Sequence, residues 1–287
     1  MANIRVIKRR IRSVQNTAKI TRAMEMVAAS KMRRAQERVL AARPYAEKMR
    51  EMLSHLASQS QDPDAVHPLL QKRETNRIEI LHITPDRGLC GGLVSNINRA
   101  TSSFILQGDG VEASLVTVGK KGRDFMTRYG REVRAVFIDL GDRPGVLDVL
   151  PIARIVIDDY ASGYADKVYL AYSRFVTTTN QEPVITQILP IEPVAAEEAV
   201  AAIYIYEPDS VQVLGELLPR FVEMQIYHAV LEAIASEQSA RMVAMRNATD
   251  NANEMIDELT LMFNKARQEA ITTELLDITG GVAALEG

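Results

Sequence analysis

Apolar residues recur every three or four positions at both ends of the chain and nearly every second position in its middle. Ile4, Ile7, Ile11, Val14 and Ala18 alternate in steps of three and four, and Ile20, Met24 and Val27 resume the alternation after a shift of register. This is the stripe of an amphipathic helix in its coiled-coil form. Ala28, Ala29, Ala35, Ala41 and Ala42, among many Arg, Lys, Met and Glu, add helix propensity. Pro44 is a possible kink, and Ser-Gln-Asp-Pro at 60–63 is the stop, so a helix is expected from about residue 3 to 57. Near the other end Leu231, Ala235, Gln238, Met242, Met245, Thr249, Ala252, Ile256, Leu259, Phe263, Ala266 and Ala270 keep strict 4-3 spacing without Gly or Pro. A second coiled-coil helix follows, beginning near Pro208-Asp209-Ser210 and ending at Gly280-Gly281. Gln238 and Thr249 are polar seam positions, expected as register pins or partner contacts.

The middle reads differently. Strands are expected at 77–84, 111–118, 134–140, 168–176 and 183–191, with helices at 89–106, 120–129 and 146–161 between the first four. Strand–helix alternation implies βαβ units and a mostly parallel sheet with right-handed crossovers. The last two strands, joined by Thr-Thr-Thr-Asn-Gln-Glu, suit an antiparallel hairpin at the edge. The expected fold is an α/β plus long coiled coil: a small doubly wound domain at 75–195, with an N-terminal stalk helix at 1–60 and a C-terminal one at 208–287.

Helices of about 55 and 67 residues are roughly 80 and 100 Å long at 1.5 Å per residue. A domain of about 130 residues has a radius of gyration of only about 14 Å and cannot cover them. The two helices are therefore expected to pair antiparallel as a stalk. With 57 opposite about 211, Met24 lies beside about 244, near Arg241 to Met245, and Met1 beside about 267, by counting along helices of equal rise. The stretch from Lys265 to Thr279 then overshoots its partner, leaving Phe263, Ile271, Leu275, Leu276 and Ile278 to be covered by another protein.

Charge sharpens this picture. The formal net charge is −3, but residues 1–50 carry fourteen Lys or Arg against three Glu. Such a segment meets an acidic or phosphate-bearing partner, or the chain's own acidic remainder. Although the first 24 residues hold seven basic side chains and no acid, as an organellar leader would, the apolar repeat runs on past Glu25 and serine is scarce. The start is therefore read as mature protein. No uncharged run reaches the roughly 20 residues of a membrane span. One cysteine, Cys90, permits neither an internal disulfide nor a multi-cysteine metal site.

Candidate chemistry is sparse. Arg87-Gly-Leu-Cys-Gly-Gly92 and Gly119-Lys-Lys-Gly122 each follow a strand and open a helix, where backbone amides can bind anions, but neither carries a nucleotide fingerprint. Tight turns with surface lysines are the plainer reading. His55, His67, His82 and His228 have no metal-ligand spacing, and Asp158-Asp159 and Glu197-Glu198 are adjacent, so their side chains diverge. No catalytic group, cofactor or metal ligand is expected. A nucleic-acid-binding arm remains an alternative for the basic helix, although no aromatic residue occurs there before Tyr45, and a nucleotide-dependent enzyme remains one for the sheet.

The segments Ile11-Arg-Ser-Val-Gln-Asn-Thr17 and Lys19-Ile-Thr-Arg-Ala-Met-Glu-Met-Val-Ala-Ala-Ser-Lys-Met32 closely resemble the N-terminal signature of the F-type ATP synthase gamma subunits. Glu237 to Ala252 and Asn264 to Leu276 resemble the C-terminal signature, and Asp86-Arg-Gly-Leu-Cys-Gly-Gly-Leu93 the turn after the first strand. Val94 departs from the Asn expected after that turn. The resemblance implies a non-catalytic rotor. Its coiled coil would stand inside a ring of alpha and beta subunits, and its α/β foot would bind the epsilon subunit and the c-subunit ring. It would couple proton flow to ATP synthesis at the beta subunits. By the same resemblance Arg267, Gln268 and Thr272 would contact a beta-subunit catch loop, and Met24, Arg241 and Met245 would belong to the coupling shaft. Lys31, Arg33 and Arg34 could face acidic beta segments, and Tyr206 and Glu207 the c ring. The implied location is peripheral, on the cytoplasmic face of a bacterial plasma membrane, reached only through the complex. The paired-cysteine insertion of chloroplast members is absent.

Overall fold

The computed structural model describes residues 4–59, 67–108, 110–192 and 209–286. Helix α1 (Ile4–Gln59) and helix α5 (Ser210–Glu286) enclose, in sequence, β1 (Arg77–Ile83), α2 (Leu93–Gln107), β2 (Glu112–Val118), α3 (Lys120–Arg128), β3 (Glu132–Phe137), α4 (Val146–Ala161), β4 (Lys167–Phe175) and β5 (Gln181–Leu189). A 3₁₀ turn, Pro68–Leu70, precedes β1, and His67 Nδ1 caps it by accepting from the Leu69 amide. Pro44 lies inside α1 and Pro219 inside α5. The chain divides into two compact units, Met1–Ala28 with Met242–Gly287, and Ala29–Arg241.

In the second unit the sheet order is β3-β2-β1-β4-β5. Pairs β1–β2, β1–β4 and β2–β3 are parallel, and β4–β5 is the expected antiparallel edge. One core joins Leu81, Ile83, Val116, Val118 and Val168 of the sheet to Val149, Ile152 and Val156 of α4, Met49 and Leu53 of α1, and Leu214, Leu218, Val222 and Ile226 of α5. The other joins Ile78, Ile80, Leu115 and Ala171 to Ile97 and Ile105 of α2 and Met126 of α3. Both faces of the inner strands are covered, as doubly wound sheets require, and β1 and β2 are buried along almost their whole length while the edge strand β3 alternates.

Two strand-to-helix turns differ from expectation. Helix α2 starts at Leu93, not at 89, because Leu89 (φ 64°) and Gly91 (φ 58°) are left-handed and end any helical run there. Strand β3 ends at Phe137, since Asp139 (φ 59°) turns the chain away.

In the first unit, the N-terminal part of α1 and the C-terminal part of α5 run antiparallel. Thr21 Oγ1 lies 2.7 Å from Thr249 Oγ1, and Arg246 Nε donates to Glu25 Oε1 at 3.0 Å. These pairs place Met24 opposite 246–247, two to three residues from the position obtained by counting. The α5 seam buries Met242, Met245, Thr249, Ala252 and Leu259, all expected seam positions.

The α1 seam needs correction. Ala18 is followed by buried Thr21, Glu25 and Ala28, whereas Ile20 is 60% and Val27 54% exposed and Met24 half-buried. The 3-4 alternation from Ile4 is thus continuous, and no register shift occurs. Polar Thr21 and Glu25 occupy the seam because their partners on α5 are polar, which an apolar count on one helix cannot register. Helix α5 also runs past Gly280-Gly281 to Glu286, so those glycines are not its cap.

Candidate functional surfaces

The α5 tip is the first such surface. Opposed positions sum to about 270, as Thr21–Thr249 shows, so Ile4 faces the region of residue 266. Beyond it the side chains from Ile271 to Gly280 are all exposed, with Ile271, Leu275, Leu276 and Ile278 each at least half so. Arg267, Gln268 and Thr272 are exposed on the same stretch. Thr272 Oγ1 donates to the Gln268 carbonyl at 2.9 Å, and Arg267 has no ion pair among the described residues. Exposed apolar side chains at this density mark a surface that another molecule covers.

The seam next to it is polar at two levels. Thr21 Oγ1 is within reach of the Ala18 carbonyl (3.1 Å) and Thr249 Oγ1 of the Met245 carbonyl (2.9 Å). Each hydroxyl has one proton, so one donates across the pair and the other back to its own helix. Below them Glu25, buried, receives Arg22 on Oε2 and Arg246 on Oε1, both at 3.0 Å. One carboxylate thus satisfies two guanidinium groups and pins the register. Of the expected shaft residues, Met24 is half-buried and Met245 buried in this unit. Arg241 belongs to the other unit, where it binds Glu237 Oε1 at 2.6 Å and the Gly88 carbonyl at 3.2 Å.

The basic residues of α1 are partly occupied. Lys31 Nζ sits 2.6 Å from Asp142 Oδ2, Arg33 pairs with Glu37 one turn on, and Arg34 bonds Ser30. Lys31, Arg34, Arg38, Asp142 and Arg143 line a cleft of about 430 Å³ including its open mouth. Tyr206 and Glu207 lie outside the described residues, as do Glu197-Glu198.

The turn Gly119-Lys-Lys-Gly122 is closed to ligands by the protein itself. Asp86 Oδ1 accepts from the Lys120 amide and its Oδ2 from the Asp139 amide, both at 3.0 Å. The Lys121 amide donates to the Pro85 carbonyl and that of Gly122 to Thr84 Oγ1. An internal carboxylate therefore sits where an anion would bind. The two glycines serve close packing: a Cβ on Gly119 (φ 96°) would lie 1.9 Å from the Thr84 carbonyl oxygen, and one on Gly122 2.7 Å from His82 Cδ2. The cleft beside this turn, about 420 Å³ and lined by Thr84, Val118, Phe137 and Val230, has only carboxylates as charged lining, Asp86, Asp139 and Glu237. That charge repels phosphate.

Two buried titratable groups escaped the sequence reading or were read only as solitary. Glu79 lies in the core facing Asp159, to which its carboxyl hydrogen-bonds when protonated, and Arg134 holds Asp159 bidentately (3.1 and 3.3 Å). Burial, and then the Asp159 charge, push its carboxyl up to about 8, so it is protonated at neutral pH. Its position in the buried run Arg77-Ile-Glu-Ile-Leu-His was the only signal. On the opposite face His82 Nε2 pairs with Asn98 Oδ1 (2.8 Å) and Nδ1 with Thr101 Oγ1 (3.1 Å). Burial lowers it to about 4, which keeps it neutral and fits one donating and one accepting nitrogen. Asp158 and Asp159 diverge, one exposed and one buried. Among the described residues no three His, Cys, Asp or Glu side chains are grouped to hold a metal, and no helix is long and apolar enough to cross a membrane.

Fold and surfaces together define a class, an α/β domain joined in one chain to a long antiparallel helix pair with an uncovered apolar tip. The family model described as ATP synthase matches residues 3–285. An ATP synthase gamma chain of Dehalococcoides mccartyi is 62% identical, covering 99% of this chain and 100% of its own length. That of Herpetosiphon aurantiacus is 50% identical over 99% of both. Among solved structures, the central stalk and c ring of Tetrahymena thermophila mitochondrial ATP synthase matches with TM-score 0.61 at 26% identity, covering 80% of this chain and 99% of the other. A chain of the Euglena gracilis mitochondrial ATP synthase shares the fold, with TM-score 0.68 at 20% identity over 98% and 94%. The chain belongs to the ATP synthase gamma-chain family.

Proposed function

We propose that the chain is the central-stalk rotor of an F-type ATP synthase, with residues 1–60 and 208–287 as its stalk helices and 75–195 as its foot. The observation that carries this reading is the α5 tip, which outruns α1 and exposes Ile271, Leu275, Leu276 and Ile278. Such a tip suits a bearing formed by alpha and beta subunits. The foot would bind the c ring, as the central stalk/c-ring assembly of the Tetrahymena relative suggests, and, by the family resemblance, the epsilon subunit. Proton flow turns ring and foot, and the shaft biases each beta subunit toward the conformation that makes the better contacts with it. ATP is made on the beta subunits, and this chain supplies no catalytic group.

Arg267, Gln268 and Thr272 then engage a beta-subunit loop, and Met24, Met245 and Arg241 lie in the coupling shaft. With Lys31 held by Asp142, the outward cations Arg33 and Arg34 are the better candidates for acidic beta segments. Tyr206 and Glu207 remain candidates for the foot near the c ring. The location that follows is peripheral, at the cytoplasmic face of a bacterial plasma membrane, through the complex.

Coexpression with cognate alpha and beta subunits tests the reading. The expected result is copurification of all three and ATP-driven rotation of a probe on the α/β unit. Assembly of an active alpha–beta complex that excludes the chain would overturn it.

A further inference from the structure

Doubly wound sheets ordinarily receive ligands outside the carboxyl ends of their strands, at the point where strand order reverses. Here β1 and β4 flank that point, and one turn of α5 already engages the loops leaving β1, β3 and β4. Ser239 Oγ donates to the Thr178 carbonyl after β4 at 2.7 Å. Arg241 Nη2 donates to the Gly88 carbonyl after β1 and is steadied by Glu237. Gln238 Nε2 reaches Asp142 Oδ1 after β3 at 3.4 Å, while Asp142 Oδ2 binds Lys31 of α1.

The composition of this turn is otherwise odd. Ser236, Gln238 and Ser239 are buried in a helix whose neighbouring turns bury Leu231, Ala235 and Met242. Successive helical residues turn by about 100°, so 238, 239 and 241 leave the axis in three directions, near 0°, 100° and 300°. Apolar packing selects the face of a helix that is buried but, being non-directional, resists a small roll only softly. Hydrogen bonds lose strength steeply with angle, so three of them at three azimuths do fix it.

We propose that Gln238, Ser239 and Arg241 key α5 to the sheet, and that Lys31 ties α1 into the key through Asp142. Torque on the α/β unit then turns α5 with it instead of letting the helix roll in its bed. Resting on the rotor reading, this names the positioning residues through which that rotor would be driven.

The test uses the complex assembled with alpha and beta subunits, its ring immobilised and stalled with a non-hydrolysable nucleotide. A probe on the exposed α3–β3 turn reports angular fluctuation. In Q238L/S239A the angular variance should rise by a factor of about two to three, since two of the three hydrogen-bonded restraints are removed. Hydrolysis without load should stay near the parent value. A lowered Tm with unchanged variance would make these residues merely structural and overturn the proposal. Should the double variant fail to assemble, Lys31→Ala, which touches the key only through Asp142, must raise the variance by a smaller factor, and an unchanged value overturns it equally. A parent complex whose probe does not rotate under ATP sinks the rotor reading instead, a result visible before any variant is made.

Discussion

Glu79 shows how a single side chain can set a pH dependence for the whole α/β unit. Its carboxyl sits near 8 when folded, against 4.5 as its ordinary value, because burial and Asp159 both disfavour the anion. The folded state therefore holds a proton that the unfolded state releases above the ordinary value. Its stabilisation is complete below pH 4.5 and is lost progressively as pH rises to about 8. Glu79→Gln keeps a donor toward Asp159 and cannot ionise. In urea denaturation of the full chain, the variant should lose less stability than the parent between pH 6 and 9, by at least about 1 kcal/mol, the lower cost of an unsatisfied buried group. Equal losses would show that Glu79 is already ionised in the native protein. The sequence placed Glu79 on a strand, but which groups crowd it depends on β3 and α4, which bring Arg134 and Asp159 from distant positions.

Among elements, the helix pair separates apolar from buried. Val27 and Ile20 are apolar and exposed, while Thr21 and Glu25 are polar and buried. Val27→Ser should change stability by no more than about 0.5 kcal/mol, whereas Ala28→Met should cost about 1–3 kcal/mol by overpacking the seam. Thermal unfolding of both variants checks the assignment, and the reverse ranking would restore the shifted register. The threonine pair permits a finer test. Thr249→Val removes the cross-helix bond, leaving the Thr21 hydroxyl only the Ala18 carbonyl, and should cost about 1 kcal/mol, while T21V/T249V should cost less than the sum of the two single changes. A double-mutant cycle with no coupling would mean that the 2.7 Å contact carries no weight. Seam residues on α5 were legible because their 4-3 spacing is unbroken over many turns. On α1 Thr21 and Glu25 were not, because polarity there is answered by the opposite helix.

Across the whole molecule, the decisive feature is surface that the chain does not cover for itself. Replacing Ile271, Leu275, Leu276 and Ile278 together by Gln should leave the unfolding midpoint of the full chain nearly unchanged, since these side chains are exposed. It should reduce self-association in sedimentation experiments and weaken retention by the alpha–beta ring. A large drop in the midpoint would show that the tip packs within the chain. Arg267→Ala with Gln268→Ala should likewise spare folding while lowering hydrolysis by the assembly. Unaltered hydrolysis would remove both residues from the beta-subunit contact.

Periodicity alone determined two long helices, a parallel sheet with an antiparallel edge, and the overshoot of α5. Each of these follows from the repeat of one segment and from the fixed rise of a helix, which are local properties. Only the tertiary structure decided that Thr21 and Glu25 lie in the seam, that Asp86 fills the turn before α3, and that Gln238, Ser239 and Arg241 bond to three loops. Those outcomes depend on polar partners tens to hundreds of residues away, and a polar side chain carries no sign of burial until its partner is in place.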